Sequence, residues 1–171
     1  MRRCCLLLLL VCGALFASGT AFTREESPSY PTVRVTVNGQ PVSFIFSNAS
    51  QLERKPIPAL LVHGHVMLPI RFFEEVLQLH FDFHLEAWKI ASLESRSEGP
   101  WSFKIGDPTA YRQVAGFGGD RAESMPLPLP PMLINDRYYL PAIPVVGLFG
   151  ADEHWDAKTG TLEISWKGEK K

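Results

Sequence analysis

"PALLVHGHVMLPIRFFEEVLQLHFDFH", residues 58–84, and "PPMLINDRYYLPAIPVVGLFGADEHWD", residues 130–156, set how this chain is organised. Laid over one another without a gap, they match Pro58 with Pro130, Leu61 with Leu133, Leu68 with Leu140 and Pro69 with Pro141. Val62 then meets Ile134, Leu77 meets Phe149 and Phe83 meets Trp155. On either side, "VRVTVNG" (33–39) corresponds to "WSFKIGD" (101–107), and "WKIAS" (88–92) to "TLEIS" (161–165). Identities are few. The shared order of elements is the stronger sign of two degenerate copies, about 31–92 and 101–166.

Each copy reads locally in the same way. Val33, Val35 and Val37 alternate with polar residues, and Asn38-Gly39 supplies a tight turn into "QPVSFIF". "LLVHGHVML" is a hairpin turning near Gly64, and Asn135-Asp136 is its counterpart. Pro69 sits where the first turn of a helix tolerates proline. Over 69–78, Ile70, Phe73, Val76 and Leu77 recur at helical spacing, with Arg71, Glu74, Glu75 and Gln78 opposite. "LHFDFH" switches to period two, with Leu79, Phe81 and Phe83 inward. In the second copy Pro144 and Gly147 predict a shorter, poorer helix, and Asp156 and Gly160 bracket a turn between strands. Segments 47–57 and 117–131 are expected to be loops. The expected class is α+β, with antiparallel hairpins forming sheet and one short helix per copy.

Bulk properties narrow the function. Arg2 and Arg3, the apolar run Leu6 to Phe16 and the small residues "ASGTA" read as a secretory signal over 1–21. Cleavage after Gly19 or Ala21 leaves small residues at the two specificity positions, so the mature chain should begin near Thr20 or Phe22. Lipid on Cys12 is disfavoured by the bulky Val11 before it. Cys4, Cys5 and Cys12 all fall in this signal, so the exported chain is expected to hold together by its core alone, without disulfides. It would carry 15 basic and 18 acidic residues, with no basic stripe for nucleic acid and no second apolar run to span a membrane. Residues 167–171 are expected to fray.

The order of strand, "NG", strand, Pro-led hairpin, "LP" plus helix, aromatic-Asp turn and strand resembles the copper amine oxidase N-terminal-like domain, or stalk domain, of exported bacterial proteins. "VTVNGQPVSF", "VMLPIRFFEEVL", "FKIGDPTAYRQVAGF", "PPMLINDRYYLPA" and "HWDAKTGTLEIS" carry the resemblance, which covers roughly 31–166. Gln78 stands where the family has Gly, His84 where the second copy keeps Asp156, and Ile143 where the first keeps Arg71. In copper amine oxidases the metal and quinone belong to a separate catalytic domain, whose cofactor tyrosine lies in an Asn-Tyr-Asp/Glu setting. No such tripeptide occurs around Tyr30, Tyr111, Tyr138 or Tyr139. The resemblance therefore implies an accessory domain without the enzyme, with no cofactor and no catalytic residue. A cell-envelope protein or a glycan is the partner it suggests.

Against this stands a sharper alternative, a small exported metal-binding protein or metallohydrolase. His80, Asp82 and His84 alternate, so a strand would present all three on one face, with His63 and His65 nearby in sequence. The plainer reading is that Leu79, Phe81 and Phe83 face the core and leave a wet, polar face behind them. The second copy places Asp152 and His154 opposite His80 and Asp82, and Asn135 and Arg137 opposite His63 and His65. Adjacent carboxylates, Glu74-Glu75 and Asp152-Glu153, diverge where a glycosidase needs them to face each other. "GFGG" (116–119) lacks the Lys-Ser/Thr of a phosphate loop. Of the tryptophans, Trp101 and Trp155 are expected in the core, and Trp88 and Trp166 exposed, where they could stack on sugar.

Overall fold

A computed structural model describes residues 29–46, 55–83, 90–94, 99–114 and 121–168. The expected signal segment 1–21, His84, Trp88 and the last three residues lie outside these. Among the described residues, fifteen strands form an eight-stranded, a five-stranded and a two-stranded sheet, which two helices complete as an α+β architecture.

The first strand, β1 (Thr32–Val37), buries Val33 and Val35, and Asn38 and Gly39 then turn the chain with positive φ. The stretch after this turn splits into two strands that part company. β2 (Gln40–Val42) pairs with β1, whereas β3 (Phe44–Phe46) leaves to pair with β4 (Lys55–Ile57). β4 corrects the expectation of a loop over 47–57.

The hairpin β5 (Ala59–Val62) and β6 (His65–Pro69) turns at His63-Gly64, both at positive φ. The helix α1 (Ile70–Glu75) comes next, shorter than the periodic stretch, with Phe72 and Phe73 fully buried edge to face at 5.5 Å. No side chain caps it, so packing of its apolar face holds it. β7 (His80–Phe83), β8 (Ile90–Glu94) and β9 (Trp101–Lys104) run antiparallel in sequence order. β10 (Thr109–Val114) extends this sheet, and β11 (Arg121–Pro126) closes it. β11 corrects the second loop expectation, over 117–131. Its "RAESMP" holds too few apolar residues to show a buried face, and it forms because the free edge of β10 offers it six paired positions.

The hairpin β12 (Met132–Ile134) and β13 (Arg137–Pro141) leads into α2 (Ala142–Leu148), then β14 (Asp152–Asp156) and β15 (Thr161–Ser165). α2 is one residue longer than α1 despite Pro144 and Gly147. Pro144 falls in its first turn, where backbone N–H groups have no partner inside the helix, so proline removes nothing.

The eight-stranded sheet has the order β12-β13-β6-β5-β1-β15-β14, with β2 beside β1. One strand in from the β12 edge, β6 and β13 pair antiparallel, with Leu68 opposite Leu140, Tyr139 opposite Pro69 and Pro141 opposite Met67. All of these are buried, as are both faces of the two strands over Val66–Pro69 and Tyr138–Pro141. β1 and β15 run parallel, a strand from each end of the chain. Asn38 locks that junction: its amide donates to the Trp166 carbonyl at 2.7 Å and accepts from the Trp166 N–H at 2.9 Å.

Both helices lie against β6 and β13, and α1 also meets β7 where α2 meets β14. One continuous core joins the sheets, from Val33, Leu68 and Leu140 to Leu93, Trp101 and Phe103. The Tyr138 hydroxyl crosses from the larger sheet to donate to the Phe103 carbonyl at 2.5 Å. Among the described residues no helix is long and apolar enough to cross a membrane.

Candidate functional site

The histidine-rich stretch divides between two sheets. His63 and His65 flank the tip of the β5–β6 hairpin, both exposed. His63 takes φ +47°, a left-handed conformation that Asn135 shares at φ +50° in the matching turn. Asn adopts that region readily, and a β-branched residue would not. His80 and Asp82 lie on β7 with exposed side chains, while Leu79 is buried and Phe81 is half-buried against the core. The period-two reading of β7 therefore holds for the residues whose side chains are described. Across the ladder His80 faces Glu94, and Asp82 faces Ser92. Among the described residues no three His, Cys, Asp or Glu side chains gather where they could hold a metal ion. His84, the third member of the alternating set, lies outside them.

The acidic pairs do not converge. Arg71 donates to Glu74 at 2.5 Å on the outer side of α1, and its guanidinium lies 5.8 Å from the Phe81 ring centroid. Glu75 is exposed beside them. Asp152 and Glu153 are neighbours on β14, so they point to opposite faces of the sheet.

The tryptophans divide differently from expectation. Trp101 is 5% exposed, with the Arg112 guanidinium 5.0 Å from its ring centroid and Arg112 in turn donating to Glu123 at 2.7 Å. Its buried indole N–H has no acceptor among the described residues. Trp155 is half-buried against the core. Trp166, expected to be exposed, is also half-buried there, because Asn38 draws its backbone onto the end of β1.

Among the described residues the exposed aromatic is instead Tyr111, 45% accessible, on β10. Five directly opposed residues make a row across the whole smaller sheet: Asp82, Ser92, Ser102, Tyr111 and Ser124. Opposed residues share a face, and this is the polar one. The next row, Phe81, Leu93, Trp101, Arg112 and Glu123, faces the other way, into the core at Leu93 and Trp101. Sequence reasoning missed Tyr111 because its neighbours come from three separate stretches, one of them expected to be loop. The one local signal was the alternation in "TAYRQV".

Two groups titrate away from their ordinary range. Burial pushes the Tyr139 phenol up, with the nearby Arg137 charge opposing, and its hydroxyl donates to the Pro58 carbonyl at 3.1 Å. Asp156 is held below the usual carboxylate range by the Thr159 hydroxyl and the Lys158 N–H, which donate to it in the β14–β15 turn. Both roles are structural.

Compared with known proteins, the chain matches no family model, no curated sequence and no solved structure.

Proposed function

We propose that the chain is a non-catalytic, exported binding or spacer module built from two degenerate copies, of the kind the stalk-domain resemblance implies. The observation that carries the repeat is the β6–β13 register. Leu68 and Leu140, equivalent in the two copies, face each other, and their neighbours pair reciprocally about that point. An approximate two-fold axis through this pair accounts for the helix contacts as well. It exchanges α1 on β6, β13 and β7 with α2 on β13, β6 and β14. The last strands of each copy then join the first strand of the other, β15 beside β1 and β8 beside β9. The exchange is incomplete: β1–β15 is parallel and β8–β9 antiparallel, and β5 pairs with β1 whereas β12 stands at the sheet edge and β9 lies in the other sheet.

A frame of this kind buries its apolar side chains in one core and offers sheet faces and hairpin tips to a partner, which suits a module that holds or spaces. Expression of the full chain in a bacterial host tests the reading. The expected product is outside the cytoplasm, begins near Thr20 or Phe22 by mass spectrometry, and carries less than stoichiometric transition metal by elemental analysis of untagged protein. A chain retained in the cytoplasm with Met1 intact would overturn export. Stoichiometric metal, lost on His80→Ala/His84→Ala substitution, would favour the metal-binding alternative.

A further inference from the structure

We infer that the outer face of the five-stranded sheet is a saccharide-binding trough for an uncharged pyranose chain. This rests on the reading of the protein as a binding module and names the ligand class for one face of it. The row Asp82, Ser92, Ser102, Tyr111 and Ser124 crosses all five strands. Exposure falls from the ends of the row to its middle. Ser92 is 8% exposed and Ser102 half-buried, while Asp82 on one side and Tyr111 and Ser124 on the other stand exposed. Two small residues on adjacent central strands thus form a floor between taller walls. The walls belong to β7 and β10, three strand spacings apart, about 14 Å at roughly 4.8 Å per strand.

The chemistry of each part suits a sugar. The Ser92 and Ser102 hydroxyls lie 3.5 Å apart, and each can donate or accept, as sugar hydroxyls require. The Asp82 carboxylate only accepts, so it would take hydroxyl protons from the ring. Tyr111 offers an aromatic ring at the far wall, with a polar tip and an apolar body on which a pyranose C–H face can stack. Glu94 lies two residues from Ser92 on β8, and Lys104 two from Ser102 on β9. With the Asp82 carboxylate on the wall, these leave the face with no excess of positive charge, so it carries no field that selects a polyanion, and an uncharged chain is the better match.

Isothermal titration of the full exported chain with β-1,4-linked tetrasaccharides of glucose and of N-acetylglucosamine tests this. EDTA is included so that no metal bridges at Asp82. Saturable binding of at least one tetrasaccharide is expected. Tyr111→Ala should weaken it about ten-fold, and Tyr111→Phe should keep it, since the ring remains. Ser102→Val, which fills the trough and removes a hydroxyl, should also weaken it. Leu133→Ser, on the other sheet, should leave it unchanged. Melting curves of all variants confirm that the fold persists. No saturable binding to either tetrasaccharide, binding only to an acidic oligosaccharide, or an unchanged affinity in Tyr111→Ala would each overturn the inference. An exported, metal-free chain that binds neither sugar would sink this inference and leave the proposed function standing.

Discussion

The hairpin and helix that begin at Ala59 and those that begin at Met132 use the same parts with different finishes. Both hairpins end in Leu-Pro, both helices start directly after that proline, and both chains leave the helix through one residue at positive φ. That residue is Gln78 (φ +56°) in the first and Gly150 (φ +77°) in the second. The next N–H then returns to a helix carbonyl in each, Leu79 to Phe73 at 3.0 Å and Ala151 to Val146 at 3.2 Å. With glutamine in place of glycine the helix ends one residue earlier, at Glu75 where the second runs to Leu148, yet the chain still leaves through positive φ, because the buried flanks Leu77 and Leu79 over-determine the path. Tertiary burial outweighs a local conformational cost of about 1–2 kcal/mol.

Leu68 and Leu140 put the likeness of the two halves under the severest strain. Each is fully buried at the β6–β13 pairing, so Leu68→Ala and Leu140→Ala should each lose about 2–5 kcal/mol in denaturant titrations. Matching frames predict similar losses, and a large disparity would show that one half carries the fold.

Tyr138 measures what the halves do not share. Its counterpart, Val66, has no hydroxyl, and only Tyr138 bridges to Phe103 in the other sheet. Tyr138→Phe should lose about 1–3 kcal/mol, since the buried carbonyl loses that donor. Trp101→Phe removes an N–H that has no acceptor among the described residues, so its loss should come from lost ring volume and a weaker contact with the Arg112 guanidinium.

The helix exits separate the halves at a smaller scale. Gly150→Ala should destabilise by roughly 1 kcal/mol, although nothing lies within 4 Å of the added methyl, because the left-handed backbone itself disfavours it. Gln78→Gly should do the reverse, raising stability by a few tenths to about 1 kcal/mol after the entropy of the unfolded glycine is counted.

The smallest effect is at the β14–β15 turn. Asp156 has a depressed folded-state pKa, so its stabilisation is present above its ordinary value of 3.8 and lost as pH falls through the lower folded value. The melting-temperature gap between the native chain and Asp156→Ala should therefore shrink as pH falls from about 5 toward 2. A gap that held constant would mean that the carboxylate charge is not what holds Lys158 and Thr159.

Patterns confined to a few neighbouring residues were legible without a fold. Period two in "VRVTV", the apolar face of "PIRFFEEVL", the Asn-Gly and Asn-Asp turns and the Leu-Pro entry to each helix all depend on local geometry. Burial of Ile70, Phe73 and Leu77 came with them. What local pattern could not supply was partnership. β11 has no apolar periodicity and exists because β10 has a free edge, while Trp166 is drawn inward by an asparagine far earlier in the chain. The polar row likewise needs four strands in one register to bring Asp82, two serines and Tyr111 onto one face. Where the chain turns and which side chains seek the core were written in the residues themselves, because those depend on backbone sterics and hydrophobicity. Which strands are neighbours, and so which polar residues stand together, emerged only in the folded molecule. Hydrogen bonding between strand edges is blind to side-chain identity and is settled by the packing of the whole core.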